Sequence, residues 1–142
     1  MKYLFDTDIL SNLIKKQPSP NLLEKLKGLS SNLQCTSTIT VGELYYGACR
    51  LHSSASIIER IEKEIFPSLY EILPFDKESA KEYGRIRAKL EEKGESLSEP
   101  DLRIAAICLV NNATLVTGNI KHFARIDGLK VEDWLQDKLL GN

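Results

Sequence analysis

The stretch Tyr3-Leu-Phe-Asp-Thr-Asp-Ile-Leu-Ser11 decides how the fold begins. Its first three residues are apolar and predict a short buried strand that ends at Asp6. Apolar residues then recur at helical spacing, at Ile9, Leu10, Leu13 and Ile14. The segment therefore predicts a strand, a turn at Asp6-Thr-Asp8 and a helix, with an acidic residue at the carboxyl end of the strand.

The same alternation continues along the chain. Four more apolar runs predict strands, at Leu33–Ser37, Tyr70–Phe75, Ala113–Thr117 and, as a short edge strand, Leu129–Val131. Helical patterns separate or follow them, around Leu22–Leu29, from Thr40, at Ile57–Phe66, between Asp76 and Gly94, from Ser98, and at Asp133–Leu140. Because parallel neighbours need crossover connections, the alternation predicts an α/β fold with a mainly parallel sheet of about five strands and helices on both faces.

The long helix between Asp76 and Gly94 is predicted to turn Ala80, Tyr83, Ile86 and Leu90 towards the core. It also carries Arg85 and Arg87. Long charged side chains commonly cover helix edges, so a solvated face is the favoured interpretation of both arginines. Beside an acidic metal site, the same basic stripe would suit RNA phosphates.

Composition limits the possible classes of protein. The 142 residues are 42% hydrophobic and fit one domain spanning residues 1–142. A formal net charge of -1 excludes a global basic field, so any RNA binding must use local patches. No apolar run approaches the roughly 18 residues of a membrane span or signal core, and we expect a cytoplasmic protein.

The three cysteines, Cys35, Cys49 and Cys108, lie far apart among apolar or small residues. This spacing matches neither a disulfide framework nor a zinc motif. We expect buried, reduced thiols.

Four polar residues are candidates for a metal site. Asp6 and Asn119 fall just after strands, where the working crevice of an open parallel sheet lies, and Glu43 and Asp101 fall in the first turns of helices. If these loops open on one edge, their oxygens meet the needs of a hard cation such as Mg²⁺. Two bare carboxylates about 4 Å apart would repel by roughly 4 kcal/mol, and a bound cation relieves that repulsion.

Helix capping is an alternative explanation for the same residues. Thr40-x-x-Glu43 and Ser98-x-x-Asp101 both have the form of a capping box. Asp6-Thr-Asp8 can also cap the helix that follows it. Taken one at a time, each of the two boxes favours helix capping over a metal site. For Asp6-Thr-Asp8 the two interpretations are equally favoured.

The histidines do not suggest a stronger chemistry. His52 lies at a predicted helix end, and His122 lies in a loop with no nucleophile pattern nearby. His52 is expected on the surface, while His122 is placed where it can approach the mouth of the crevice.

Four ordered segments carry a family resemblance. They are Tyr-Leu-Phe-Asp-Thr-Asp-Ile-Leu-Ser from Tyr3, Thr-Val-Gly-Glu-Leu-Tyr-Tyr-Gly-Ala from Thr40, Pro-Asp-Leu-Arg-Ile-Ala-Ala from Pro100 and Leu-Val-Thr-Gly-Asn from Leu115. Together they resemble the PIN-domain toxins of the VapC type, and the likeness spans nearly the whole chain. The resemblance implies a three-layer, RNase H-like fold and a ribonuclease that serves as the toxin of a type II toxin–antitoxin pair.

The resemblance also assigns roles to residues. It implies that Asp6, Glu43, Asp101 and Asn119 are catalytic and bind Mg²⁺ or Mn²⁺. Many relatives carry aspartate in place of Asn119, and Arg103 replaces an expected apolar residue. Three further residues are expected to support the metal ligands. Thr7 and Ser11 would orient Asp6 or a metal-bound water through hydrogen bonds, and Glu99 would add a negative charge near Asp101.

The family resemblance further implies a VapB-type antitoxin that covers the active-site groove, and a homodimer. Tyr45 and Tyr46 could contact such a partner, but packing in the helix core is the favoured interpretation. Two rival functions remain open. The Asp6-Thr-Asp8 turn also resembles haloacid-dehalogenase-type phosphatases with Asp6 as nucleophile, and the neutral Asn119 is compatible with a catalytically weak RNA-binding or protein-binding module.

Overall fold

A computed structural model describes residues 1–136 of the protein. These residues contain one five-stranded sheet, formed by β1 (Lys2–Phe5), β2 (Gln34–Ser37), β3 (Glu71–Leu73), β4 (Ala113–Val116) and β5 (Val131–Glu132). The strands lie side by side in the order β3-β2-β1-β4-β5. Every neighbouring pair is parallel, which confirms the α/β class predicted from the alternating pattern.

Helices make the crossovers between the strands. Their bounds are α1 Thr7–Ile14, α2 Pro20–Lys27, α3 Thr38–Cys49, α4 Ser54–Arg60, α5 Lys77–Glu92, α6 Glu99–Val110 and α7 Ile120–Phe123. Short 3-10 turns occupy Ser31–Leu33 and Phe66–Ser68, and a π-helical segment occupies Ile61–Ile65. Side-chain oxygens of Asp6, Ser19, Ser37, Asp76 and Ser98 accept hydrogen bonds from backbone N–H groups at the starts of five of these helices.

Two hydrophobic clusters lie on opposite faces of the sheet. Leu4 of β1 belongs to the cluster that contains residues of α5, α6 and α7, whereas its neighbour Phe5 belongs to the cluster with residues of α1, α2 and α3. Leu115 and Val116 of β4 divide in the same way. Successive side chains of a strand point to opposite faces, so a sheet covered on both sides needs continuous apolar strands. The result is the three-layer arrangement.

The inner face of α5 differs from the prediction by one position. Ser79 is fully buried and Ala80 is exposed, while Ile86 and Leu90 are buried as predicted and Tyr83 is half-buried. Residues 79, 83, 86 and 90 follow the spacing of a single helical face. The assignment of Ala80 to the core is therefore wrong, because the buried face of α5 begins one residue earlier, at Ser79.

The end of the described chain also differs from the prediction. Asp133–Gln136 are not helical, and the rest of the predicted Asp133–Leu140 helix lies outside the described residues. Instead, the ring of Trp134 is buried with its centroid 5.2 Å from that of Tyr3. The Trp134 and Leu135 carbonyls accept hydrogen bonds from Asn21 and Ser19. This segment is thus held against the start of α2.

Two smaller expectations need correction. Cys35 and Cys108 are buried free thiols, but Cys49 is exposed at the end of α3, so burial was wrongly predicted for it. The helix predicted at Ile57–Phe66 is interrupted, since α4 passes into the π-helical segment after Arg60. Within residues 1–136, none of the helices has the length and apolar character required to cross a bilayer.

Candidate active site

Asp6 and Thr117 follow two adjacent strands, β1 and β4, at the carboxyl edge of the sheet. The Asp6 backbone N–H donates to the Val116 carbonyl at 3.0 Å, which extends the strand pairing by one residue. The Thr117 hydroxyl donates to Asp6 Oδ2 at 2.8 Å, and the Thr7 backbone N–H donates to Asp6 Oδ1 at 2.8 Å. Both oxygens of a carboxylate that is only 4% exposed are therefore held in fixed directions.

The pKa of Asp6 is raised from its ordinary value of 3.8 to about 7. Burial is the largest cause, and the hydrogen bonds from Thr117 and Thr7 partly oppose it. The negative charges of Asp8 and Asp101 raise the pKa further. Because two other acids act on the buried carboxyl of Asp6, this position favours a positive charge nearby.

Glu43 lies inside α3 rather than at its start. Ser37 is the N-cap residue, since its hydroxyl accepts from the Thr40 backbone N–H at 3.1 Å, and Glu43 comes five residues after the helix begins. The capping-box explanation is therefore wrong for Glu43. Its half-buried carboxylate instead accepts a hydrogen bond from the Thr7 hydroxyl, with 2.5 Å between Oγ1 and Oε1.

Asp101 lies at the start of α6, where the sequence allowed either helix capping or a metal-binding role. It is the third residue of α6, and its backbone N–H donates to the hydroxyl of the N-cap residue Ser98 at 3.3 Å. Burial raises the pKa of its carboxyl, while the Ser98 hydroxyl and the charge of His122 lower it. The charge of Asp101 also acts on Asp6. Asp101 thus lies in the capped first turn of α6, and its charge acts on Asp6.

Asp8 fixes the loop that leads to Asn119. Its Oδ2 accepts from the Gly118 backbone N–H at 2.8 Å, and the Asn119 backbone N–H donates to the Thr117 hydroxyl at 3.1 Å. Burial raises the pKa of Asp8, and Asp133 adds to this effect. Its other oxygen, Oδ1, is buried without a hydrogen-bond partner among residues 1–136. Asn119 itself is exposed at the N-cap of α7, where its side chain does not cap the helix.

A cavity of about 510 Å³ opens beside this loop and is lined by Gly118, Asn119, His122 and Asp133 among others. Its position agrees with the expectation that His122 approaches the mouth of the crevice. The charge of His122 lowers the pKa of Asp101. The cavity therefore brings Asn119, His122 and Asp133 together at the loop that Asp8 fixes.

The donors present fit a hydrated divalent ion better than a tightly caged one. Over the described range 1–136, no three acidic, histidine or cysteine side chains stand close enough to hold an ion by themselves. Mg²⁺ usually keeps several waters and takes only one or two carboxylates directly. A buried carboxylate under the repulsion of two others, next to an orphaned carboxylate oxygen, supplies the charge that such an ion needs.

The more distant candidates have other partners. Glu99 accepts hydrogen bonds from Tyr83 and Arg87 and lies 3.5 Å from Arg103, so it links α5 to α6. Arg85 is bonded to Glu82, and Arg87 also pairs with Glu91 at 3.6 Å. Such ion pairs are typical of long charged side chains along the solvent-exposed edge of a helix. None of them joins Glu99, Arg85 or Arg87 to the acidic centre.

Sequence reasoning did not single out Thr117 or Asp8 as individual site residues. Thr117 follows β4 just as Asp6 follows β1, so the rule that selected Asp6 also selects Thr117 once β4 is placed beside β1. Asp8 is separated from Gly118 by 110 residues, and no local pattern encodes that contact. The strand order was the missing information in both cases.

Comparison with known proteins agrees with this architecture. Residues 3–129 match the family model of the PIN domain. The chain is 36% identical to "Ribonuclease VapC2" of Haemophilus influenzae, over 95% of this chain and 99% of that protein. It is 33% identical to "tRNA(fMet)-specific endonuclease VapC" of Salmonella typhimurium, over 94% of this chain and 98% of that protein.

A solved structure is similar over the same extent. The crystal structure of VapBC2 from Rickettsia felis, bound to a DNA fragment from its promoter, contains a chain that superposes with a TM-score of 0.85. The two chains are 36% identical, over 94% of this chain and 99% of that one. The protein therefore belongs to the PIN-domain family and, within it, to the VapC ribonucleases.

Proposed function

We propose that this protein cleaves RNA internally as the toxin of a toxin–antitoxin pair, with Mg²⁺ or Mn²⁺ held by Asp6, Glu43, Asp101 and Asn119. PIN nucleases generally use a divalent metal ion, and the choice between these two ions is part of the proposal. The observation that carries it is the buried carboxylate of Asp6, which lies in the field of Asp8 and Asp101 at the carboxyl edge of the sheet. A cation offsets that repulsion.

The chain's own residues prepare the site for phosphodiester hydrolysis. Thr7 and Thr117 orient the two oxygens of Asp6, and Thr7 also orients Glu43. Asp101 adds charge from the start of α6. A divalent ion held by these residues would polarise the phosphate and stabilise the developing negative charge. In the hydrolysis, the attacking water loses a proton as its oxygen bonds to phosphorus, and the leaving ribose oxygen takes up a proton as its P–O bond breaks.

The test uses purified protein freed of any bound partner. Total RNA is incubated with Mg²⁺ or Mn²⁺, and the new RNA ends are mapped for wild type, Asp6→Asn and Asp101→Asn. The matched control is Asp127→Asn, which removes an exposed acid paired with Lys89 away from the acidic centre. We expect cleavage by the wild type and the control, and losses of at least about a hundredfold in both site variants.

Other results would redirect the assignment. Full cleavage by Asp101→Asn, or by the wild type in excess chelator, contradicts the metal-dependent site. Retention of RNA without products at ample Mn²⁺ would support the weak binding module instead. The phosphatase alternative predicts turnover of a generic phosphomonoester with RNA untouched, and membership of the VapC ribonucleases favours the nuclease over it.

The proposal includes the partners of this protein. The Rickettsia felis relative was crystallised as a VapBC2 complex on DNA. We propose that a VapB-type antitoxin binds this chain in the cytoplasm, covers its active-site groove and stops RNA cleavage, and that the toxin is a homodimer. Co-expression with the product of the adjacent gene should yield a complex that lacks nuclease activity. Light scattering should give twice the 16.0 kDa mass for the isolated toxin.

A further inference from the structure

Tyr46 is a large aromatic residue exposed beside the candidate active site. It is 66% exposed on α3, so the expectation that it packs in the helix core is wrong. Tyr45 differs, because its ring packs against Phe66 at 5.9 Å and its hydroxyl donates to Glu62 at 2.7 Å. Tyr46 lies three residues after Glu43, and residues at this spacing share one helix face about 5–6 Å apart. An open aromatic ring thus stands one turn away from a proposed metal ligand.

Arg50 provides a positive charge at the same place. Its guanidinium lies 4.8 Å from the centroid of the Tyr46 ring. Among residues 1–136 Arg50 forms no salt bridge, whereas Arg85, Arg87 and Lys89 of α5 are paired with carboxylates. Binding of a phosphate by Arg50 therefore breaks no ion pair in the described part of the chain. Arg50, at the C-cap of α3, thus offers a positive charge that is unpaired within this part of the chain and lies next to Tyr46, whereas the two arginines of the predicted α5 stripe are engaged with carboxylates.

A groove connects these groups to the acidic centre. The cavity, of about 510 Å³, is lined by Thr7 and Glu43 from the active site, by Tyr46 and Gly47 of α3 and by Arg50 at its C-cap. Apolar side chains, among them Leu44, Leu51 and Ile57, form much of the remaining wall. We call it the α3 groove. A Cβ atom added at Gly47 would meet nothing within 4 Å, so the glycine leaves this part of the groove wall open. The groove is therefore continuous with the proposed site of bond cleavage.

We propose that Tyr46 stacks on an unpaired base of the RNA next to the bond that is cut, with Arg50 facing the adjoining phosphate. This inference rests on the proposed ribonuclease function and adds a substrate-positioning residue to it. Stacking on an aromatic ring suits single-stranded RNA because every base has a π face, and an arginine beside the ring adds attraction for the backbone. The exposed ring, the unpaired cation and the continuity with Glu43 are the grounds for RNA as the occupant. An apolar protein segment is the alternative that the antitoxin measurement below tests.

The first experiment measures binding without cleavage. A mixed-sequence single-stranded oligoribonucleotide carrying the fluorescent base 2-aminopurine is titrated with Asp101→Asn protein in Mn²⁺. The same titration is made with Tyr46→Ala, Tyr46→Phe and Tyr70→Ala added to that background. Tyr70 is the matched control, since it is also 66% exposed and does not line the α3 groove.

We expect Tyr46→Ala to weaken binding roughly 5- to 150-fold and to abolish the quenching that stacking produces. Tyr46→Phe and Tyr70→Ala should bind like their parent. Arg50→Gln should lower the salt dependence of binding by about one released counterion. Equal binding and quenching by Tyr46→Ala and Tyr70→Ala would overturn the proposal. So would a Tyr46→Ala protein that binds RNA normally but loses its affinity for the antitoxin.

A second variant tests the groove without removing any contact. Gly47→Leu fills the α3 groove, and Gly84→Leu makes the same change at an exposed helical glycine of α5 that also has open space around its Cβ position. In otherwise wild-type protein, Gly47→Leu should raise the KM for RNA at least about tenfold without lowering the melting temperature, and Gly84→Leu should leave the KM unchanged. An unchanged KM in Gly47→Leu contradicts the inference. If the wild type cleaves no RNA at all, that result contradicts the proposed ribonuclease function and not the role of Tyr46 in particular.

Discussion

Thr7 and Glu43, which are 36 residues apart in the chain, are joined by a hydrogen bond from Oγ1 to Oε1 of 2.5 Å. The backbone N–H of the same threonine donates to Asp6 at 2.8 Å. One residue therefore orients two of the proposed metal ligands, one from the end of β1 and one from α3. Groups that hold metal ligands in place commonly affect metal affinity almost as strongly as the ligands do.

Replacement of Thr7 by valine should separate orientation from packing. Thr7→Val keeps the branched shape and the backbone N–H but removes the hydroxyl that holds Glu43. We expect the Mn²⁺ concentration for half-maximal RNA cleavage to rise roughly 10- to 100-fold. Thr7→Ser restores the hydroxyl and should stay near wild type. A Thr7→Val enzyme with unchanged metal dependence would show that this hydrogen bond does not serve the site.

The buried Asp6 should make the metal-free protein sensitive to pH. Its pKa is about 7 in the folded protein against an ordinary value of 3.8, so its contribution to stability is fully present below about pH 4 and is lost as pH rises through 7. That gap corresponds to on the order of 4 kcal/mol. Without metal, Asp6→Asn should therefore gain stability relative to wild type between these pH values. Urea unfolding from pH 4 to 8 measures this, and parallel curves for the two proteins would contradict it.

Gly118 should tolerate no side chain. A Cβ at this position would lie 2.8 Å from Asp8 Oδ2 and 3.3 Å from Leu135 Cδ1. Gly118→Ala must displace the carboxylate that accepts the Gly118 N–H, and we expect a loss of about 1–3 kcal/mol in the free energy of unfolding. Gly84→Ala, with nothing within 4 Å, should instead stabilise α5 by up to about 1 kcal/mol. Similar stability changes in the two variants would show that the close approach of Gly118 to Asp8 does not restrict position 118.

The fold was largely predictable because its signals are local. Apolar runs such as Leu115-Val116 identify buried strands, and the caps at Asp76 and Ser98 set the starts of α5 and α6. Errors arose where a tertiary contact overrides the local pattern. Burial of Trp134 against Tyr3 keeps residues 133–136 out of a helix, although their sequence suggests one.

The site was predictable only in part. Asp6 could be placed at a strand end from the sequence, but the position of Glu43 depends on which residue caps α3, and this residue is Ser37 and not Thr40. Thr117 and Asp8 required the strand order. The exposure of Tyr46 could not be inferred, because a pair of tyrosines on a helix does not show which ring faces the core. The nuclease assignment itself came from the ordered motifs and agrees with the match of residues 3–129 to the PIN domain.

Asn119 offers a way to strengthen the site. It is exposed after Gly118, and its amide brings an oxygen without charge. Asn119→Asp adds a negative charge to the acidic crevice, so we expect it to lower the Mn²⁺ concentration for half-maximal cleavage several-fold. Asn119→Ala should raise that concentration. If neither variant changes the metal dependence, Asn119 is not a ligand.

The most direct test of the shared metal site is a calorimetric titration of Mn²⁺ into the isolated protein. Wild type and Asp127→Asn should bind the ion with the same affinity, while Asp6→Asn and Asp101→Asn should each weaken binding at least about tenfold. Such losses would show that acids from β1 and α6 act on one ion. Wild-type affinity in both Asp6→Asn and Asp101→Asn would contradict the account.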